Sequence, residues 1–313
     1  MSINTVKKRP KYLRKAIAPI HLKPIHEEIL KLLYQYRFLN TTQLMAMTGK
    51  TYKAVKKAMN DLYNDFYVDR PEAQKKELGY NAPMVSAISD KGAKVVARLY
   101  DDRTITKLNW TLKNKNLQGD FLEHDLMISQ FYAGLKLLER KFKEIKFISP
   151  QTIINNRFSS PSLKSNPLSW KAKIKREFNV LPDGAFGIDY IDPETQKRTI
   201  KYFFLEADQA TEPIARKDFF QSSINKKLTL YISSRNQKLF SANFGFKNVR
   251  VLFITKTERR LKNMIKLNQE INKEAPRLFK FALAEKVLNL DIPENIIARA
   301  WINGKGETCD LLN

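Results

Sequence analysis

Asp183 and Glu206 stand at the edges of two apolar runs, LPDGAFGIDY (181–190) and KYFFLEADQATEP (201–213). Singly, such acids are ordinary turn residues. Side by side they are hard oxygen ligands suited to Mg²⁺ or Mn²⁺, which prefer carboxylate and water. In KYFFLEAD, strand alternation puts Tyr202, Phe204, Glu206 and Asp208 on one face and Phe203, Leu205 and Ala207 on the other. Glu206 therefore leaves the C-terminal end of a strand buried on both sides, and Asp183 stands at the entrance to a neighbour. Asp208 reads as a third ligand or as a helix cap. A helix is expected from about Pro213 to Ser234, with Thr211-Glu212-Pro213 as its start. Its apolar stripe is Phe220, Ile224, Leu228 and Tyr231, and Lys227 falls against that stripe. Snorkelling explains such a lysine. So does an ammonium reaching over the strand ends to orient water or stabilise a charged phosphate. Lys217 and Lys226 are alternatives for that role.

The elements that must position these groups follow from periodicity. QGDFLEHDLMISQFYAGLKLLERKF predicts a long helix with the stripe Phe121, His124, Ile128, Phe131, Leu135 and Leu138. His124 reads as a hydrogen-bonded core histidine in preference to a catalytic base. Strands are expected in KEIKFISPQTII, KREFNV, GAFGIDY and TIKYFFLEAD, then a helix, the strand NVRVLFIT and a helix from Thr257. Helix, strands, helix, strand predicts an α/β (α+β) sandwich with a mixed sheet over 118–313, including a C-terminal extension. The stretch 158–173, rich in Ser, Pro and Lys, predicts a mobile loop.

Before it, 104–117 is polar and basic and reads as a linker. Residues 21–103 show helices from Pro24, over TTQLMAMTG and from about Thr51, then two short strands around a charged loop, and a closing helix opened by Ser89-Asp90. This is a winged helix-turn-helix pattern. In the third helix Val55, Ala58, Met59 and Leu62 form the buried stripe, with Tyr52 packing at its border. Lys53, Lys57, Asn60 and Asn64 lie opposite and Lys56 on the flank. They offer cations for phosphates and amides for base edges. Lys75 and Lys76 add charge to the wing. Residues 1–20 read as a basic arm carrying Lys7, Lys8, Arg9, Lys11, Arg14 and Lys15. A bundle used for protein contacts is the alternative to DNA binding.

Over 313 residues, Lys and Arg number 56 against 32 Asp and Glu, a formal charge of +24. An excess of that size attracts a polyanion, and double-stranded DNA is the expected partner. The single Cys309 excludes a disulfide framework and a thiolate zinc finger. Three histidines make a multi-histidine zinc site improbable. No apolar run reaches membrane-spanning length and no signal core follows the basic leader, so a reducing cytoplasmic setting without a membrane partner is expected. No glycine-rich phosphate loop argues for a nucleotide-driven motor.

Pro182-Asp183-Gly184 followed by Glu206 resembles the PD-(D/E)xK nuclease-like superfamily. That pattern places lysine two residues after the glutamate, where this chain has Asp208, and Lys227 on the following helix would fill the role. Over most of the chain, the winged helix, Glu123-His124, the PDG turn, FFLEAD-x-x-T-E and Lys227-x-x-x-Tyr231 resemble the replication-relaxation family. The resemblance implies a DNA-associated role in replication, relaxation or mobilisation of a plasmid or other mobile element. Other plasmid replication or mobilisation proteins, or a second copy in a homodimer, would be its protein partners. A Mg²⁺-dependent endonuclease with Asp183, Glu206, Asp208 and Lys227 as its catalytic set is the alternative. A transcriptional regulator or protein-binding adaptor is the third.

Overall fold

A computed structural model of the chain describes residues 12–78, 82–158, 166–218, 221–247 and 249–312. Lys7, Lys8, Arg9, Lys11 and Phe220 lie outside the described residues, as does the side chain of Lys76. Packing divides the chain into two compact units, Met1–Ser129 and Gln130–Asn313.

The first unit runs α1 (Pro24–Tyr36), β1 (Phe38–Asn40), α2 (Thr41–Thr48), α3 (Tyr52–Asn64), β2 (Val68–Asp69), α4 (Gln74–Glu77), β3 (Val85–Ile88), α5 (Asp90–Tyr100), α6 (Trp110–Lys115) and the first part of α7 (Gly119–Lys141). Several helix starts have a local cause. Asn40 accepts from the Gln43 backbone while the Gln43 side chain reaches back to the Asn40 N–H, a reciprocal cap. Thr51 caps α3 and Ser89 caps α5. Gly49 ends α2 in the left-handed region at φ 68°. The strands pair antiparallel in the order β1-β3-β2, a winged-helix arrangement. Sequence periodicity did not signal β1 because three residues carry no alternation. The wing also contains α4, where a charged loop was expected.

Residues 104–117, expected as a linker, pack on this unit instead. The Trp110 indole donates to the Ile105 carbonyl and Asn114 donates to the Ile88 carbonyl, both at 2.8 Å. From Tyr12 onward the N-terminal arm is anchored. The Arg14 guanidinium lies 4.1 Å from the Tyr63 ring centre and bonds Asp69 at 2.9 Å, and Ile20 N donates to Asp65.

The second unit contains the remainder of α7, then β4 (Ile145–Ile148), α8 (Pro150–Asn155), β5 (Trp170–Lys173), β6 (Glu177–Val180), β7 (Gly184–Ile191) and β8 (Arg198–Asp208). After these come α9 (Ile224–Asn236), α10 (Leu239–Phe244), β9 (Val249–Thr255), α11 (Glu258–Ile271), β10 (Phe279–Leu283), α12 (Ala284–Val287), β11 (Trp301–Asn303) and β12 (Thr308–Cys309). Its mixed sheet has the order β12-β11-β10-β9-β8-β7-β4. Strand β7 runs antiparallel to β4 and β8, whereas β8, β9 and β10 run parallel. The KREFNV strand is not in this sheet; it forms a separate hairpin with β5.

Both faces of β8 are covered, as its unbroken apolar run requires. Phe203 stacks on Phe186 at 4.9 Å, and Phe186 meets Phe131 of α7 edge-on at 5.3 Å. Phe204 packs on the other side against Trp170, Tyr231 and Phe240. In α7, Phe131, Leu135 and Leu138 are buried as the stripe predicts, but Phe121 is exposed and Leu122 takes the core position. No helix among the described residues is long and apolar enough to cross a membrane.

Candidate functional site

Antiparallel pairing sets Gly184 against Leu205, so one further step places Asp183 beside Glu206. A Cβ at position 184 would come 2.2 Å from the Tyr132 hydroxyl of α7, so the turn after Asp183 requires glycine. Asp183 Oδ2 accepts from the Ala207 N–H at 2.8 Å, which ties the two strand ends together.

Glu206 is almost fully buried on the α9 face of the sheet. The Tyr231 hydroxyl donates to its Oε1 at 2.5 Å, and Lys227 Nζ lies 2.9 Å from its Oε2. That approach makes a buried ion pair. Lys227 also lies 3.4 Å from Glu212 Oε2, and Ser222 donates to the other Glu212 oxygen. One ammonium thus faces three carboxylates. Burial, and then the neighbouring Asp183 charge, push the Glu206 carboxyl up to about 7 against the opposing pull of Lys227. Burial works against the Lys227 charge, but Glu206, Asp183 and Glu212 outweigh it and hold the ammonium protonated. Burial followed by the Glu206 charge raises the Tyr231 phenol well above its ordinary value.

Lys227 is therefore the lysine that meets the carboxylates. Lys226 turns to the Phe178 ring at 5.1 Å, and Lys217 is exposed. The expected helix start at Thr211 is corrected: α9 begins at Ile224, capped by Ser223. Residues 209–218 instead fold back, and the carbonyls of Pro213 and Ile214 accept from Ile224 N and Asn225 N. These bonds satisfy donors that a helix start leaves open. Glu212 is thereby released from the expected helix to pair with Lys227.

Asp208 is neither a helix cap nor an open ligand. Arg260 of α11 grips both its oxygens, one at 2.7 Å, and Thr255 donates to it at 2.7 Å. Arg260 also donates to the Glu212 carbonyl. This bidentate arginine ties the end of β8 to the loop that follows it.

The donor type of Asp183 and Glu206 suits Mg²⁺ or Mn²⁺, but the Lys227 ammonium already stands 2.9 Å from Glu206 Oε2. Among the described residues no group of three or more His, Cys, Asp and Glu side chains could hold a metal ion.

In the first unit, Lys53, Lys56, Lys57 and Asn60 are exposed on α3, opposite buried Val55, Ala58, Met59 and Leu62. Tyr52, expected to pack, is 54% exposed, with Lys56 Nζ 5.3 Å from its ring centre. Tyr52, Lys56 and Asn60 recur every four residues, a spacing that aligns them along one exposed side of the helix. Arg70 donates to Asn60 Oδ1 at 3.1 Å, which leaves the Asn60 amide nitrogen as the group available to a base edge. With Thr41 and Thr42 these residues line a cavity of about 520 Å³. Asn64 is half-buried, and its Oδ1 accepts from Lys15 N of the arm at 2.8 Å. Lys75 pairs with Glu72 at 3.0 Å and lies over the Tyr12 ring. His124 is half-buried beside Asp125 and is not a core residue.

The family model described as replication-relaxation matches residues 30–247, which hold both the α3 face and the Asp183–Glu206–Lys227 cluster. The chain belongs to the replication-relaxation family. Membership supports a role in replication or relaxation of a plasmid or other mobile element. No curated protein and no solved structure matches the chain.

Proposed function

We propose that this replication-relaxation protein binds double-stranded DNA through α3, in service of a mobile element's replication, relaxation or mobilisation. The observation that carries the reading is the face of α3. Three lysines and an arginine-oriented asparagine stand exposed with no acid paired to the lysines among the described residues, on a helix whose opposite stripe is buried. A helix so presented docks in a major groove, with lysines on phosphates and the asparagine at a base edge. The formal charge of +24 supports the same partner. Titrating a labelled duplex with the full chain tests it. Saturable binding, weakened by alanine at Lys53, Lys57 and Asn60, is expected; binding untouched by that variant contradicts the assignment.

A second reading, metal-dependent cleavage of DNA by a PD-(D/E)xK-type site, is favoured by one observation. Asp183 and Glu206 meet at adjacent strand ends, with Lys227 delivered from the next helix. Asp183 and Glu206 would hold Mg²⁺ or Mn²⁺, which would supply Lewis acidity and an activated water. Lys227 would hold a positive charge against phosphate, and Tyr231 would fix the Glu206 carboxylate. A supercoiled-plasmid assay with Mn²⁺, beside calorimetry with Mn²⁺ alone, tests it. No heat of binding and no nicking rule it out.

A further inference from the structure

A cluster of cationic side chains lines a cavity in the C-terminal unit, away from the carboxylate cluster. Arg235, Lys247, Arg250, Arg277 and Lys305 line a cavity of about 380 Å³, and Glu274 is the single acid among its lining residues. The cavity opens where β9 begins. Val249 pairs with Tyr202 and Phe253 with Glu206, so the two sites are separated by four strand residues, about 13 Å at the usual rise.

Backbone geometry builds this cavity. Val251 N donates to the Leu278 carbonyl at 2.8 Å, drawing 275–278 along the edge of β9. Gly304 N donates to the Pro276 carbonyl at 3.1 Å, and a Cβ at 304 would meet that oxygen at 2.4 Å. Only glycine permits this approach, which carries Lys305 to the rim. The floor is apolar, made by buried Phe240, Val249, Ala275 and Leu278.

The cations gathered there are not neutralised. Among the described residues none of the five forms a salt bridge, and the one protein hydrogen bond of the Arg250 guanidinium goes to the Val249 carbonyl at 3.1 Å. Burial, then the proximity of Arg277, depress the Arg250 pKa. Behind it, burial, then Arg250 and Lys280, depress that of Lys201. Like charges held together over an apolar floor are unfavourable unless an anion joins them. Guanidinium forks suit the oxygens of a phosphate, with which they form paired hydrogen bonds.

We infer that this cavity is a phosphate-binding site that recognises either the backbone of a polynucleotide or a free phosphorylated small molecule. Arg277, Lys247 and Lys305 supply the exposed charge, and Arg250 supplies the partly buried anchor. Arg277 and Lys305 lie beyond the residues matched by the family model.

The test uses the full chain and pyrophosphate as probe, measured by calorimetry at low salt. Arg277→Glu combined with Lys247→Glu changes only exposed side chains, and a thermal transition like the parent's verifies folding. Pyrophosphate affinity is expected to fall at least tenfold in this variant and to stay unchanged in Lys53→Ala/Lys57→Ala. A duplex titration run in parallel separates the sources. If the natural ligand is a polynucleotide, duplex affinity falls as well; if it is a free phosphorylated molecule, the duplex curve stays at the parent's. Equal pyrophosphate binding by parent and cavity variant, or none by the parent, overturns the inference whatever the duplex does. Loss of duplex binding in the α3 variant alone bears on the winged helix and leaves the cavity standing.

Discussion

Lys227 Nζ lies 2.9 Å from Glu206 Oε2, joining the first turn of α9 to the middle of a mixed sheet at a carboxyl nearly sealed from water. Removing one member of such a pair strands the other in a low-dielectric setting. Lys227→Ala is therefore expected to destabilise the C-terminal unit by about 3–5 kcal/mol, read by urea denaturation at neutral pH. Lys227→Ala combined with Glu206→Gln should recover a substantial part of that loss. An Ala variant as stable as the parent would show that the pair does not form.

The raised Glu206 carboxyl gives stability a pH signature. Its folded value of about 7 lies above the unfolded value near 4.5, so the folded state binds the proton more tightly. The contribution of Glu206 is fully present below about pH 4.5 and is lost as pH rises through about 7. Glu206→Gln should remove this fall, which amounts to roughly 3 kcal/mol at most, in denaturation midpoints measured from pH 4.5 to 8. Identical slopes for the two proteins would contradict the assignment.

Asp208 separates structure from chemistry. Because Arg260 and Thr255 hold both its oxygens, Asp208→Asn should lower the thermal transition yet leave any Mn²⁺ heat of binding as in the parent. Asp183→Asn, which loses a carboxylate beside Glu206, should abolish such heat. Equal effects of the two substitutions on Mn²⁺ binding would place Asp208 among the ligands.

How much of this was legible in the sequence depends on the range of each interaction. The buried stripe of α3 and the alternation of β8 are local periodicities, and they placed Val55, Leu62, Phe204 and Glu206 on their correct sides. The meeting of Asp183, Glu206 and Lys227 was legible as a turn, a strand end and a displaced lysine. Arg260 was not, because it reaches Asp208 across 52 residues and nothing local marks the pair. The late start of α9 was also hidden. Thr211-Glu212-Pro213 satisfies the local rules for a helix start, but tertiary bonds from Arg260 and Lys227 engage Glu212 instead. Asn64 has the right phase for the outer face of α3, and an arm from residues far earlier in the chain occupies it.

The two faces of α3 should respond differently to substitution. Lys53→Ala/Lys57→Ala/Asn60→Ala removes exposed groups and should shift the thermal transition by no more than several degrees, since surface changes of this kind cost under about 0.5 kcal/mol each. Val55→Asp places an unpaired carboxylate at a fully buried position and should unfold the N-terminal unit. Comparable transitions for the two variants would mean that the faces are exchanged.

The salt dependence of duplex binding tests the central claim most directly. Fluorescence anisotropy of a labelled duplex would be followed between about 50 and 200 mM salt for the parent and for Lys53→Ala/Lys56→Ala/Lys57→Ala. If these lysines neutralise phosphates, log affinity for the parent falls steeply with log salt, and the variant's slope is shallower by roughly 2.7, about 0.9 per lost contact. Parallel lines for the two proteins, or a flat line for the parent, would contradict DNA binding through α3.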